Sequence, residues 1–239
     1  MHVTAPDLRT ARGATWNLAY DHRLSASWSF HAGLLDRRSS HELVVEPAQT
    51  DHGAELRLRS DGRSTYREAE VGVHFTHAPG VDLNATYVRS AARGDLNTFT
   101  SFFGAVLSPI IGANAYAPAA TDVPHRLLVR GRMMPTPRWL LLGIGEWRTG
   151  FPYSVVDQAL DFVGQRNVGY RFPNTFRLDL GVERRFKVLK WQPWVGMRVN
   201  NALNAFLPTD VQANIASPAF GSFYNSEPRQ LRLQLRFER

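Results

Sequence analysis

The chain has 239 residues, 44% of them hydrophobic, and 28 Lys+Arg against 21 Asp+Glu give a formal charge of +7. The absence of cysteine excludes disulfides, thiolate metal sites and a thiol nucleophile. No run reaches the roughly 18 apolar residues of a spanning helix, which says nothing against a barrel, whose strands hide their apolarity in alternation. An isoelectric point near 10.2 raises nucleic acid as a partner, but the arginines are spread through alternating segments and form no basic run, so none is expected.

Residues 1 to 13 read as a polar lead-in, and their opening Met-His-Val-Thr-Ala-Pro-Asp lacks the apolar segment of a signal peptide. Alternation begins at Ala14: Trp16, Leu18 and Tyr20 oppose Thr15, Asn17 and Asp21. After a turn over 21–24, Ala26, Trp28 and Phe30 oppose three serines, and the two runs together read as a hairpin. A polar link, Asp36 to Ser40, leads to a short run that Pro47 should stop. Gly53 to Arg59 follows, Asp61-Gly62 reads as a turn, and Tyr66 to Thr76 and Val81 to Tyr87 read as strands joined at 77–80.

Residues 90–122 read as a long irregular segment, with an apolar middle (Phe102 to Ile111) suited to a short helix or strand. Strand patterns resume over His125 to Arg132 and Trp139 to Arg148. Beyond a second long link they continue over Thr175 to Phe186, Trp191 to Asn201 and, after a third, Gln230 to Phe237. That last strand alternates almost ideally: Leu231, Leu233, Leu235 and Phe237 on one face, Gln230, Arg232, Gln234 and Arg236 on the other.

This gives eleven strand candidates and an all-β chain. Short links (Lys187 to Lys190, Met134 to Pro137, His77 to Gly80, Asp21 to Leu24, with Pro47 to His52 in the same set) alternate with links that are mostly long. Short turns at one end and long loops at the other are the asymmetry of an outer-membrane barrel. A soluble β-sandwich with binding loops is the alternative class, and a small self-standing porin or adhesin barrel is a third. An odd strand number makes the first and last strands run the same way, so the expectation is an open half-barrel, with a strained closed barrel joined by a parallel seam as the alternative.

Several stretches resemble the TonB-dependent outer-membrane receptors, closest to the subgroup with a carboxypeptidase-regulatory-like domain. They are 123–131 (Val-Pro-His-Arg-Leu-Leu-Val-Arg-Gly), 148–154 (Arg-Thr-Gly-Phe-Pro-Tyr-Ser), 176–186, 200–204 (Asn-Asn-Ala-Leu-Asn) and 228–237. In order and spacing they look like the last five strands of such a barrel, a likeness good over 123–239 and generic before it. The resemblance implies a bacterial outer-membrane location and a barrel segment over 14–239. It also implies uptake of a large ligand, such as a siderophore or glycan, with no chemistry done on it.

Its implied partners are the lipid bilayer, the barrel-assembly machinery, which reads the strand carrying Leu231, Leu233, Leu235 and Phe237, and TonB through a plug. The plug, the TonB box and about half of the family's strands are not in this chain, which is expected to be a fragment or a degenerate relative. Ending on Glu238-Arg239 departs from the family's terminal aromatic residue.

No catalytic, metal or cofactor site is expected. His74 and His77 fall on opposite faces of a strand, and His41-Glu42 and Asp51-His52 lack a third partner. Gly143-Ile-Gly145 sits inside a strand pattern and is no dinucleotide loop. Tryptophans 16, 28, 139, 147, 191 and 194 fit either an aromatic girdle or core packing. Arg177, Asp179, Glu183, Arg232 and Arg236 are expected to face a lumen as cross-strand charge ladders. Arg57, Arg59, Arg130, Arg132, Glu55 and Glu70 are assigned to the same face.

Overall fold

The computed structural model describes residues 2–51, 53–77, 80–95, 115–188 and 190–237. The strands are β1 His2–Thr4, β2 Arg12–Arg23, β3 Trp28–Thr50, β4 Gly53–His77, β5 Val81–Asp95, β6 Tyr116–Pro118, β7 His125–Thr136, β8 Trp139–Arg148, β9 Thr175–Arg185, β10 Trp194–Asn200, β11 Pro208–Val211, β12 Phe223–Ser226 and β13 Gln230–Arg236. Eleven of them form one sheet, whose path runs β13-β10-β9-β8-β7-β5-β4-β3-β2 without closing. Along that path every pairing is antiparallel.

Eleven strands were expected and the described residues form thirteen; the sheet also counts eleven, but they are not the same ones. The links expected at Asp36 to Ser40 and at Asp61-Gly62 lie inside unbroken strands of 23 and 25 residues. A register shift around His41, whose φ is +56°, absorbs the irregularity. Pro47 does not stop β3, since it stays paired with Leu56. The turn at Asp51 therefore belongs to the long-loop end and not to the short-turn set. The lead-in contains β1, which runs parallel to Leu56–Leu58. The run Phe102 to Ile111 lies outside the described residues.

Register carries the alternation across the whole sheet. Tyr20, Ala32, Val71, Tyr87, Leu127, Trp147 and Phe176 are successive cross-strand partners over seven strands. Nearer the turns, Leu141, Val182, Met197 and Leu233 continue the same face. Each central strand gives this face four residues, for example Phe176, Leu178, Leu180 and Val182, a height of roughly 20 Å at about 3.4 Å per residue. Many of these side chains are well exposed, among them Leu18, Val71 and Leu233. A sandwich would bury such a face under a second sheet. Among the described residues the only other sheet is β11–β12.

The short turns are built locally. At 24–27 the Ser25 hydroxyl accepts the amides of Ser27 and Trp28. At the β4–β5 turn Gly80 takes φ +113°, a conformation that side chains rarely adopt.

Candidate functional site: the polar face and the loops at its end

Behind the apolar face the same register builds a polar one. Asp82, Arg132, Leu142, Gly181, Arg198 and Arg232 form one row across six strands. Asn84, Arg130, Ile144 and Asp179 form the next. Arg130, Arg132, Arg198, Asn200, Asp82 and Asp179 surround an open cavity of about 440 Å³.

The five expected charges all fall on this face, four of them in two groups. The Glu183 carboxylate, only 4% exposed, accepts Arg198 at 3.3 Å and Arg236 at 3.2 Å, tying β9, β10 and β13 together. Arg177 donates to Asp179 at 3.0 Å and reaches Glu227 at 3.2 Å. Asp179 also accepts the Asn201 amide at 2.8 Å. Arg232 stands apart from both groups and donates to Gln230. Glu70 approaches His31 at 3.9 Å. Arg57, Arg59 and Glu55 do not join this face: they lie in the long part of the β3–β4 hairpin, beyond the apolar rows, paired as Arg57–Glu55 and Arg59–Glu46.

Where β10 gives way to loop, Asn201 and Asn204 both take positive φ and bond backbone. Asn201 donates to the carbonyls of Ala205 and Glu227 and accepts the Ala205 amide, while Asn204 accepts the Arg229 amide. Asn200 stays in the strand, opposite Gln230.

Of the tryptophans, Trp16 and Trp147 sit at the long-loop edge of the apolar face, and Trp28, Trp139 and Trp191 near its short-turn end. Trp194 does not fit a girdle. It is buried on the polar side, with Arg185 and Arg236 over its ring at 5.7 and 5.4 Å. His74 and His77 fall on opposite faces as expected, and among the described residues no group of three or more metal-binding side chains converges.

The sequence does not reveal a packed cluster in the long loops. Tyr153, Val155, Phe172, Val211 and Ala213 are buried together, with Phe151, Phe220 and Phe223 against them. Val156 bridges to both Phe162 and Asn214, joining segments 149–174 and 201–229. Arg171 pairs with the buried Asp122 and donates to the Gly150 carbonyl at 3.0 Å, anchoring the cluster to the preceding loop. Burial holds the Tyr153 phenol above its usual range, with Tyr170 adding to the shift, and pushes the Arg166 guanidinium down to about 10. Tyr224 is also raised, by burial and then by Asp210. The aromatic spots Phe151-Pro-Tyr153 and Tyr170-Arg-Phe172 were the one visible signal of this cluster.

No family model and no curated protein matches the sequence. Solved structures do match its fold. The FrpB iron transporter from Neisseria meningitidis (F3-3 variant) aligns with TM-score 0.64 and 11% identity, over 98% of this chain and 32% of that one. The outer membrane transporter YddB from Escherichia coli aligns with TM-score 0.64 and 11% identity, over 96% and 33%. The ferric-catecholate import receptor Fiu from E. coli, in its closed form, gives 0.58 and 15%, over 97% and 28%. The chain spans about a third of the length of these proteins. At such identities the likeness is one of fold: the chain has the fold of part of these proteins' β-barrels.

Proposed function

We propose that residues 14–239 are a membrane-spanning part of the barrel of a TonB-dependent receptor in the bacterial outer membrane, and that the polar face lines the path of a large ligand. The observation that carries this is the pairing of two unlike faces over one unbroken register. An apolar face without a covering sheet needs lipid, while ion-paired Arg177, Asp179, Glu183, Arg198 and Arg236 need a wet interior. The open edges of β2 and β13 call for further strands, so uptake belongs to the completed barrel and not to this sheet alone. Both the similarity to transporters named for iron and ferric catecholates and the arginines around the cavity support an anionic ligand such as a metal-loaded siderophore over a neutral glycan. Coupling to TonB, and recognition of Leu231, Leu233, Leu235 and Phe237 by the assembly machinery, are parts of the same proposal.

The test is insertion. The chain, refolded into lipid vesicles, should resist alkaline extraction, and brominated lipids should quench Trp16, Trp28 and Trp147 far more than Trp194. A detergent-free monomer with a cooperative melt would end this reading.

A further inference from the structure

The apolar face does not run the length of the long strands. Above the row Leu18, Leu34, Ala69 its side chains become charged. The next rows on that side are Trp16, Asp36, Arg67, then Ala14, Arg38, Thr65, Arg93, then Arg12, Ser40, Arg63, while Arg89 ends the apolar row itself opposite Ala69. Alternation thus puts six arginines on the apolar side at the long-loop end of β2 to β5. Within these rows the acids are Asp36 and Asp95. Asp36 is held by Arg38 at 2.8 Å and Arg67 at 3.0 Å, and Asp95 accepts the Arg63 amide.

The excess cations are poorly matched by the protein. Among the described residues, Arg89 donates only to the carbonyls of Ser90 and Pro124. Arg63 and Arg93 both lie over the Tyr116 ring, at 4.6 and 5.5 Å from its centroid, so a single aromatic side chain gathers two of the cations. An anion beside these arginines would offset their shared positive charge. The belt is confined to this half of the sheet, because β7 carries His125 opposite Arg89.

We infer that Arg12, Arg38, Arg63, Arg67, Arg89 and Arg93 form a binding surface for the phosphates of a lipid in the leaflet at the long-loop end. Two features select a lipid over a soluble anion. The guanidinium belt rests directly on Leu18, Leu34 and Ala69, so acyl chains would lie against the residues below a bound phosphate. The arginines are also spaced over four strands, matching a headgroup with more than one phosphate, each of which a guanidinium fork can grip at two oxygens. The inference rests on the apolar face being the lipid-facing one.

The experiment uses the full chain in neutral nanodiscs, with insertion scored first, followed by titration with lipid A and with dephosphorylated lipid A. Wild-type chain should prefer the phosphorylated form. Arg67→Gln together with Arg89→Gln should weaken its binding roughly twenty- to thirty-fold, at about fivefold for each arginine near an anionic surface. Asp36→Asn, which removes the competing acid, should tighten it. Arg184→Gln, at the short-turn end, should leave it unchanged. Equal affinity for the two lipids, an Arg184→Gln loss as large as that of the pair, or displacement by millimolar inorganic phosphate would overturn the inference while leaving the barrel reading intact. Failure to insert would overturn both.

Discussion

Gly196 lies directly opposite Glu183, and a Cβ placed there would stand 2.7 Å from the Glu183 Cγ. The missing side chain lets the carboxylate lean across β10 and meet Arg236 on the far strand as well as Arg198. Gly196→Ala should push Glu183 off both arginines, and Glu183→Gln should weaken the same two links. Each should cost about 1–3 kcal/mol, the range for hydrogen bonds to charged groups, with the half-exposed arginines keeping it toward the lower end. Urea unfolding in vesicles, followed through Trp194, measures it. An unchanged midpoint for both variants would show that the terminal strand is held by backbone pairing alone.

The two faces should respond differently to charge. Leu233→Arg and Leu178→Arg place a cation on the apolar face and should cost about 2–4 kcal/mol near the bilayer midplane. Gln234→Leu, one residue away on the polar face, should stay within about 1 kcal/mol. Similar costs on both faces in a vesicle unfolding assay would contradict a lipid-facing side.

Among the described residues, each strand at the ends of the sheet has one neighbour. The amides of Leu231 to Leu235 that point away from β10 should exchange hydrogen faster than any in Phe176 to Val182, which is paired on both sides. Equal protection, read by hydrogen–deuterium exchange, would mean that the edges meet and the sheet is closed.

The loop cluster should loosen in alkali. Burial raises the Tyr153 and Tyr224 phenols above 10, so the fold holds these protons more tightly than the unfolded loop does. Their contribution is fully present below pH 10 and is lost as pH rises through the folded values. Proteolysis of the 149–174 loop should therefore speed up as the pH rises above about 10. Tyr153→Phe should blunt that response. A flat profile in the wild type would refute it.

A backbone clash offers a separate handle on the same loops. A Cβ at Gly150 would fall 1.7 Å from the Phe172 carbonyl oxygen, so Gly150→Ala must part the two segments. Near-ultraviolet circular dichroism should lose the aromatic signal of Tyr153, Phe172 and Phe223 while the far-ultraviolet strand signal persists. If the aromatic signal survives, the cluster does not depend on this close approach.

The sheet was legible wherever one face had to be apolar, because a period of two survives in the residues themselves: Leu231 to Phe237 and Phe176 to Val182 are plain from composition alone. It was not legible above the apolar rows. From Asp36 to Ser40 neither face needs apolar side chains, so a continuing strand looks like a link. Gly62 misled for a related reason. It reads as a turn glycine beside Asp61, yet it serves close packing: a Cβ there would stand 2.7 Å from both the Glu42 carbonyl oxygen and a Val44 methyl. The five charged residues could be assigned to a face from parity, but their partners could not. Glu183 and Arg236 are 53 positions apart and meet only through the register of three strands. The aromatic loop cluster depends in the same way on contacts between distant segments.

The hairpin of β3 and β4 goes on for some sixteen residues per strand past the last apolar row, roughly 50 Å of extended chain at about 3.4 Å per residue. It carries its own salt bridges and owes little to the apolar rows below. If the apolar rows lie in a membrane, this mast stands furthest out among the described strands and is open to an antibody, a phage or a protease. Changes between Glu46 and Arg59 would then alter what is displayed while the apolar rows keep their packing, so selection on the tip would not act against the sheet below.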